Sequence, residues 1–218
     1  MARKRVAILI SGRGSNMVAL IDAAREASFP AEIALVVSNE LDARGLSRAR
    51  DAGIATAVVD HRPHGRDRQA FERALQSAIA PHRIDLICLA GFMRLLTPWF
   101  ISQWDGRLLN IHPALLPAFK GLDTHARALA AGAQRHGATV HFVVPEMDSG
   151  SIIAQEAVPV LPGDDEPALA ARVLQAEHRL YPAALRLVAE GRVTIAGNRC
   201  LIDGVPAPLV TQPGTDGG

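Results

Sequence analysis

Cysteine and aromatic residues are scarce in this chain, and the charges of the two signs nearly cancel. Of its 218 residues, 2 are cysteine and 4% are aromatic, and the formal net charge is +1. Two cysteines do not make a disulfide scaffold, and so few aromatic rings argue against a surface on which nucleic-acid bases stack. The balanced charge adds neither a basic surface nor an acidic tail, so we expect no nucleic-acid partner.

The chain also lacks an apolar run long enough for export or membrane insertion. Its basic start, residues 1–5, leads into an apolar run at residues 6–10 that is too short for a signal-peptide core or a membrane span. The two cysteines, Cys88 and Cys200, lie in apolar segments, as buried thiols do. We therefore expect a protein of the reducing cytoplasm with no membrane partner.

What the chain does have is a large apolar fraction in a regular alternation. Hydrophobic residues make up 49% of the sequence, enough for a sizeable core. Short runs rich in Val, Ile and Leu alternate with segments of helical periodicity. This predicts an α/β fold, an open, mostly parallel twisted sheet with helices on both faces. The predicted parallel strands are residues 6–10, 32–38, 56–60, 84–89 and 107–111.

Two helices are predicted with particular clarity. Apolar residues at helical spacing mark a helix over residues 69–80 with one buried stripe. A long helix is predicted over residues 166–190, bent at Pro182 because proline cannot donate a backbone hydrogen bond. The charged residues predicted on the outer face of the first helix are Arg68, Glu72 and Arg73.

The remaining elements complete a single predicted domain over residues 1–205. Two less continuous strands are expected to pair antiparallel, and a terminal hairpin follows the long helix. Residues 206–218 are rich in Pro and Gly with little to bury, so a disordered tail is predicted there. The two strands are residues 139–144 and 152–160, and the hairpin is residues 193–195 and 200–202.

A glycine-rich turn follows the first predicted strand. It contains Gly14, Ser15 and Asn16 and leads into a helical segment at residues 17–24. Glycine lets the backbone turn sharply, and the start of a helix presents backbone N–H groups to an anion. Ser15 and Asn16 add side-chain donors. These features suit a site for one phosphate group.

Two other kinds of nucleotide site do not fit this turn, and a turn without a ligand does. A dinucleotide fingerprint requires glycine where Met17 stands. A nucleoside-triphosphate loop requires a lysine that the turn lacks, so ATP with Mg²⁺ is not expected. A turn without a ligand, in which Ser15 caps the helix at a gain of about 1 kcal/mol, stays open as an equal alternative.

Asn110 and His112 close the fifth predicted strand. Residues two apart on a strand point to the same face, and Pro113 keeps His112 extended, so the amide and the imidazole lie side by side. Ligands bind at the carboxyl ends of parallel strands. An amide can donate a hydrogen bond to a developing oxyanion, and a histidine can exchange a proton near neutral pH. The pair therefore suits acyl-type chemistry.

A carboxylate near His112 would favour the protonated imidazole, and Asp148 is the candidate. The alternatives stay open, since Asp148 before Gly150 also suits an ordinary turn and His112 also suits a half-buried structural histidine. The histidines lack the spacing of a zinc helix, and two cysteines in separate strands do not complete a zinc site. No metal is predicted.

Several segments, taken together and in order, resemble the phosphoribosylglycinamide formyltransferase family. The resemblance runs from the first strand to about Pro182, and each segment alone is weak. It implies a formyltransferase-type fold with a Rossmann-like N-terminal half, and an enzyme of purine synthesis. The matching segments are residues 12–16, 89–94, 110–117, 137–143 and 148–150.

The resemblance assigns roles residue by residue. The catalytic residues are expected to be Asn110, His112 and Asp148. The ribonucleotide substrate, 5'-phosphoribosylglycinamide, is expected to contact Gly14, Ser15, Asn16 and, near its amine, Glu177. The co-substrate 10-formyltetrahydrofolate is expected to contact Arg68, Met93, Arg94, Leu95, Leu96, Asn110, Val144, Pro145, Glu146, Met147 and Asp148.

Two of these assignments run against what the residues alone suggest. Without the resemblance, Arg68 would be a solvated arginine and Glu177 an exposed helix residue. Asp123 departs from the family, since some members have a histidine there, and this removes one possible contact beside the phosphate. Arg13 occupies a position that varies in the family, where a second cation beside the phosphate is compatible.

The implied reaction is direct formyl transfer between two small-molecule substrates, without a metal or a covalent intermediate. The enzyme is expected to be a monomer or a homodimer. Two related enzymes are weaker candidates. Methionyl-tRNA formyltransferase usually adds a basic C-terminal domain, and formyltetrahydrofolate deformylase usually carries an extra N-terminal domain. A regulatory module that only binds a nucleotide would not need Asn110, His112 and Asp148 together.

Overall fold

The computed structural model describes residues 2–207 and contains six α-helices and ten strands in that part of the chain. Two short 3₁₀ turns, Arg62–His64 and Ala80–His82, flank the third helix. In chain order the elements are β1 (Lys4–Ile10), α1 (Ser15–Ala24), β2 (Ala31–Ser38), α2 (Arg44–Asp51), β3 (Thr56–Val58), α3 (Arg68–Ile79), β4 (Leu86–Leu89), α4 (Pro98–Gln103), β5 (Leu108–His112), α5 (Thr124–Ala130), β6 (Arg135–Phe142), β7 (Ile152–Pro159), α6 (Glu166–Ala189), β8 (Val193–Ala196), β9 (Arg199–Ile202) and β10 (Val205–Pro206).

The chain divides into two compact units. The first comprises the residues up to 110 together with 143–145, and the second comprises residues 111–142 together with those from 146 onward. The boundary falls inside β5, after Asn110. The single domain over residues 1–205 stays a prediction.

The first unit is built on a parallel sheet in the strand order β3-β2-β1-β4-β5. At its centre, residues 6–10 of β1 have no exposed surface. All five are apolar, as expected for a parallel strand that is covered on both faces. One cluster of buried side chains extends from β1 and β2 through α3 and α4 to Leu108 at the start of β5. The predicted parallel strands are confirmed to within two residues at their ends.

The second unit pairs β6 with β7 antiparallel, as the sequence predicted. The long helix α6 packs on both strands and, with Pro182 inside it, spans nearly the predicted range. Gly137 in β6 has no room for a side chain, since a Cβ there would lie 2.1 Å from the carbonyl oxygen of Glu156. The predicted terminal hairpin is confirmed as β8 and β9, which pair antiparallel.

Two sequence predictions are wrong in detail, those for Glu72 and Pro206, and one open alternative, the cap at Ser15, is excluded. Glu72 does not face outward from α3 but is fully buried, because two groups at the start of α4 donate hydrogen bonds to its carboxylate. Ser15 does not cap α1, since the capping residue is Gly14 and Ser15 already lies within the helix. Pro206, assigned to the tail, pairs with β9 in β10. The rest of the predicted tail, from residue 208, lies outside the described residues.

Both cysteines, Cys88 and Cys200, are buried free thiols, as expected. Burial raises the pKa of Cys200 to about 11, which keeps this thiol protonated near neutral pH. Within residues 2–207, no helix combines the length and the apolar character that a membrane span requires.

Candidate active site

The glycine-rich turn leaves the carboxyl end of the buried strand β1 and enters α1 directly. Gly14 adopts a left-handed backbone conformation with φ of 69°, which glycine tolerates at little cost. The turn is held from the side by α2, because the Gly45 N–H donates to the Gly12 carbonyl oxygen at 3.0 Å. The first turn of α1 thus points its backbone N–H groups toward the glycine-rich turn, the arrangement that favours an anion.

In the second unit, His112 lies at the end of β5 and is only 5% exposed. Its Nδ1 lies 3.5 Å from Oδ2 of Asp148. Its Nε2 lies 2.9 Å from the carbonyl oxygen of Phe119. Both ring nitrogens therefore face acceptor oxygens, an arrangement that suits a ring carrying a proton on each nitrogen.

Asp148 is fixed in place by the backbone around it. It adopts a left-handed conformation with φ of 50° in the turn after β6. Its Oδ2 accepts a hydrogen bond from the Gly121 N–H at 2.8 Å, and its Oδ1 lies 3.7 Å from Nε2 of His141. Burial lowers the pKa of His141, so this neighbour stays neutral near pH 7. His112 is then the imidazole beside Asp148 that is better placed to carry charge.

The segment after His112 is tied down by buried polar side chains of β6 and β7. The Thr139 hydroxyl donates to the Ala114 carbonyl at 2.6 Å and accepts from the Leu116 N–H at 3.1 Å. The Gln155 amide donates to the Leu116 carbonyl at 2.8 Å and to the Thr139 hydroxyl at 2.9 Å. These bonds leave residues 112–116 little freedom to move relative to the two strands.

Asn110 is half-buried and lies two positions before His112 on β5. Side chains two apart on a strand project to the same side, so the predicted pairing of amide and imidazole along one strand face agrees with the observed element.

The segment at residues 93–96, which the resemblance assigns to folate contact and which is hereafter called the folate segment, has no helix or strand of its own. Met93 and Leu95 are 69% and 62% exposed. Phe92, just before the segment, and Leu96 pack against the buried cluster of the first unit instead. This alternation presents two apolar side chains to solvent, which suits contact with a flat aromatic ligand.

Of the other predicted contact residues, Gly14, Asn16 and Glu177 are buried, whereas Arg68 and the segment 144–147 lie at exposed or partly exposed positions. Arg68 is exposed as the first residue of α3, and the segment 144–147 is half-buried at Val144 and exposed beyond it. Glu146 lies 4.0 Å from the Lys120 ammonium. Glu177, by contrast, is only 7% exposed on α6, so the residue-based expectation of an exposed glutamate is wrong.

A model of the formyl transferase family matches residues 4–185. The chain belongs to the formyl transferase family. It is 45% identical to phosphoribosylglycinamide formyltransferase of Escherichia coli over 93% of this chain and 95% of that protein. It is 50% identical, over 90% of its length, to the trifunctional purine biosynthetic protein adenosine-3 of Gallus gallus, of which it spans only 20%.

Among solved structures, the formyl transferase fold of this chain is similar to glycinamide ribonucleotide transformylase 1 from Symbiobacterium toebii. The TM-score is 0.89 at 46% identity, with 92% of this chain and 94% of that chain covered. The predicted α/β formyltransferase-type fold is thereby confirmed.

Several residues of this formyl transferase that support the site were not singled out by the sequence analysis. His141, Thr139 and Gln155 are buried polar residues inside apolar strands, and that contrast was the available signal. Phe119, whose carbonyl contacts His112, gave no signal because its role comes from its backbone. The contact between the Ser11 hydroxyl and the Met93 N–H was also not predicted, since serine is common in turns.

Two further histidines lie near His112 in the second unit. The rings of His125 and His136 are 5.2 Å apart, edge to face. Burial, with smaller contributions from His125 and His112, lowers the pKa of His136 to about 4. Burial also lowers the pKa of His125. Both rings are therefore neutral at pH 7 and add no positive charge beside His112.

Within residues 2–207, no group of three or more His, Cys, Asp or Glu side chains is arranged to hold a metal ion. The expectation that no metal takes part stays a prediction.

Proposed function

We propose that this formyl transferase moves the formyl group of 10-formyltetrahydrofolate to the amine of 5'-phosphoribosylglycinamide, a step of purine synthesis. The observation that carries the proposal is the pair formed by the buried His112, at the end of β5, and Asp148, in the turn after β6, with Asn110 two positions before His112 on β5. The near full-length identity to a phosphoribosylglycinamide formyltransferase supports the choice of substrate.

In the proposed reaction the substrate amine attacks the formyl carbon and a tetrahedral oxyanion forms. Asn110 donates a hydrogen bond to this oxyanion, and the protonated ring of His112 stabilises its negative charge. Asp148 balances the charge on His112 and helps to pass a proton, through water, from the amine toward the folate nitrogen. The bond between the formyl carbon and that nitrogen then breaks. Free tetrahydrofolate and the formylated ribonucleotide are the products.

The hydrogen bond from His112 to the Phe119 carbonyl has a consequence for this sequence of events. The Nε2 proton is the one directed away from Asp148, and in the structure it faces Phe119. For this proton to reach the oxyanion, the loop that carries Phe119 has to release it. Phe119 has a left-handed φ of 54°, an unfavourable conformation for a bulky residue, so the cost of moving this loop is reduced.

Substrate binding is assigned to segments on several elements. The turn at Gly14, Ser15 and Asn16 binds the ribose phosphate through backbone N–H groups and side-chain donors. Glu177 contacts the substrate near its amine. The folate segment and residues 144–147 bind the pterin and benzoyl parts, and Arg68 attracts the anionic folate tail. Holding both substrates together removes much of the entropic barrier, an effect of ~7 kcal/mol or more in favourable cases.

The test is the absorbance change of 10-formyl-5,8-dideazafolate, a folate analogue, with and without the ribonucleotide. We expect loss of the formyl group only when the ribonucleotide is present, with formylated ribonucleotide as the product. Loss of the formyl group without it would identify a deformylase instead. No reaction in either case would favour a module that only binds nucleotides. The cytoplasmic location and the state of monomer or homodimer stay predictions.

A further inference from the structure

The folate segment depends on residues outside it for its conformation. It lies between the end of β4 at Leu89 and the start of α4 at Pro98, and no strand or helix forms in between. Its outward side chains, Met93 and Leu95, make little contact with the rest of the first unit. A segment of this kind loses conformational entropy when it orders on a ligand, unless other groups have already ordered it.

At its front, the segment is attached to Ser11, the residue that follows β1. The Met93 N–H donates to the Ser11 hydroxyl oxygen at 2.8 Å. The Ser11 N–H donates to the Gly91 carbonyl at 3.0 Å. The Ser11 hydroxyl donates its own proton to Oδ1 of Asn39, which is buried after β2. One serine thus joins the carboxyl ends of three neighbouring parallel strands.

At its rear, the segment is attached to Glu72 of α3. The Thr97 N–H donates to Oε1 of Glu72 at 2.6 Å, and the Thr97 hydroxyl donates to Oε2. Glu72 is 0% exposed. Among the described residues, both hydrogen-bond donors to its carboxylate belong to Thr97, and neither is a cation.

Burying a carboxylate that only neutral donors contact costs free energy, and an apolar side chain would not incur this cost. An apolar side chain of similar volume would often give equal or greater stability. Glu72 instead fixes the conformation of Thr97, the residue that follows the folate segment. One oxygen of Glu72 accepts from the Thr97 backbone and the other from its side chain. Leu96, directly before Thr97, then packs against the buried cluster while Leu95 faces solvent.

We propose that Ser11 and Glu72 are positioning residues that hold the folate segment in its binding conformation before the co-substrate arrives. This inference rests on the proposed function, because it takes residues 93–96 as a folate contact. Neither side chain touches the co-substrate in this scheme. Each acts through the backbone of the segment, so the loss of either weakens folate binding without removing a contact to folate.

The first test compares Thr97→Val with Thr97→Ser. Valine keeps the shape of threonine but leaves one oxygen of Glu72 without its donor, whereas serine keeps the hydroxyl. We expect the KM for the formyl folate to rise about fivefold in Thr97→Val, the loss of one ordinary hydrogen bond. The KM for the ribonucleotide should change less than twofold, and Thr97→Ser should restore both values. An unchanged folate KM in Thr97→Val, or an equal rise in both KM values, would overturn the role of Glu72.

The second test removes the front attachment with Ser11→Ala. The matched control is Ser77→Ala, because Ser77 is an exposed serine whose hydroxyl donates only to the Arg73 carbonyl of its own helix. We expect about a fivefold weaker binding of 10-formyl-5,8-dideazafolate for Ser11→Ala, measured by calorimetry, and no change for the control. Equal binding by both variants would overturn the role of Ser11.

A readout without catalysis separates this inference from the proposed function. Amide hydrogen exchange of residues 91–97 is measured in the ligand-free protein. We expect exchange to speed up several-fold in Ser11→Ala and in Thr97→Val, but not in Ser77→Ala or Thr97→Ser. If the wild-type protein fails to transfer formyl groups while exchange responds in this way, the proposed function is wrong and the attachment stands. If exchange is unaffected in both test variants, the attachment itself is wrong.

Discussion

At the scale of single residues, the surroundings of His112 distinguish its imidazole from the three histidine rings near it. Asp148 lies at ion-pair distance from one nitrogen, and a carbonyl faces the other. The neighbouring rings of His125, His136 and His141 are kept neutral, because burial lowers the pKa of each. Of these four rings, His112 lies closest to Asp148, at 3.5 Å against 3.7 Å for His141, and an oxyanion is proposed to form beside it.

Replacing His112 tests this directly. We expect His112→Ala to lower the rate of formyl transfer by about 10²- to 10⁴-fold, the usual contribution of one acid-base group. Binding of the ribonucleotide should stay within twofold, since its phosphate is assigned to the turn at Gly14. The measurements are kcat and ribonucleotide affinity. His82→Ala is the control, because the His82 group that accepts a hydrogen bond from Arg5 is the backbone carbonyl, which the substitution keeps. Near-normal turnover in His112→Ala would contradict the mechanism.

The buried ring of His136 predicts a loss of stability in acid. The pKa of this ring is about 4 in the folded protein, against an ordinary 6.5, so the unfolded chain binds a proton more readily between these values. The free energy of unfolding is therefore fully retained above pH 6.5 and falls as pH drops toward 4. From pH 7 to pH 5 this one group should account for about 2 kcal/mol.

Urea unfolding at the two pH values measures this effect. His136→Leu removes the titrating ring with little change in volume, so its pH dependence should be smaller than that of the wild type by the same amount. His82→Leu, at a partly exposed position outside this cluster, should keep the wild-type dependence. An identical dependence in all three proteins would rule out His136 as the cause.

At the scale of elements, the sequence predicted the strands and the long helices because their apolar periodicity is strong. It also predicted the pairing of Asn110 with His112, since alternation along a strand needs no tertiary information. Burial of Glu72 and Glu177 was not predictable in this way. Sequence patterns count a glutamate as exposed, and the donors that retain Glu72 in the core lie on Thr97, 25 residues along the chain.

The sequence left open whether Ser15 caps α1, and the observed cap at Gly14 leads to a prediction. Gly14 caps the helix because the backbone there is left-handed, a conformation that costs other residues about 1–2 kcal/mol. A Cβ at Gly14 would also lie 3.1 Å from the Cα of Gly45. We expect Gly14→Ala to lower the melting temperature by roughly 2–8 °C and to raise the KM for the ribonucleotide.

Gly12→Ala is the matched control within the same turn. No atom lies within 4 Å of a Cβ placed at Gly12. Its melting temperature should therefore stay close to that of the wild type. A loss of stability in Gly12→Ala equal to or larger than that in Gly14→Ala would contradict the particular restriction assigned to Gly14.

At the scale of the whole molecule, the family match ends before the described secondary structure does. The match stops at residue 185, inside α6, and the described strands continue to Pro206. We expect a chain that ends after residue 207 to keep formyl transfer within twofold of the full chain. A chain that ends after residue 185 should lose stability, because it cuts α6 and removes β8 to β10. Circular dichroism and the formyl transfer assay distinguish the two outcomes.

The distribution of aromatic residues makes the two compact units optically distinct. Both tryptophans, Trp99 and Trp104, lie in the first unit, whereas the single tyrosine, Tyr181, is buried in α6 of the second. Tryptophan emission, excited selectively, therefore reports on one unit, and the ultraviolet absorbance change of tyrosine reports on the other. Unmodified protein carries its own pair of spectroscopic labels. Coincident transitions in the two signals would show that the units unfold together, and separate transitions would show that they unfold in turn.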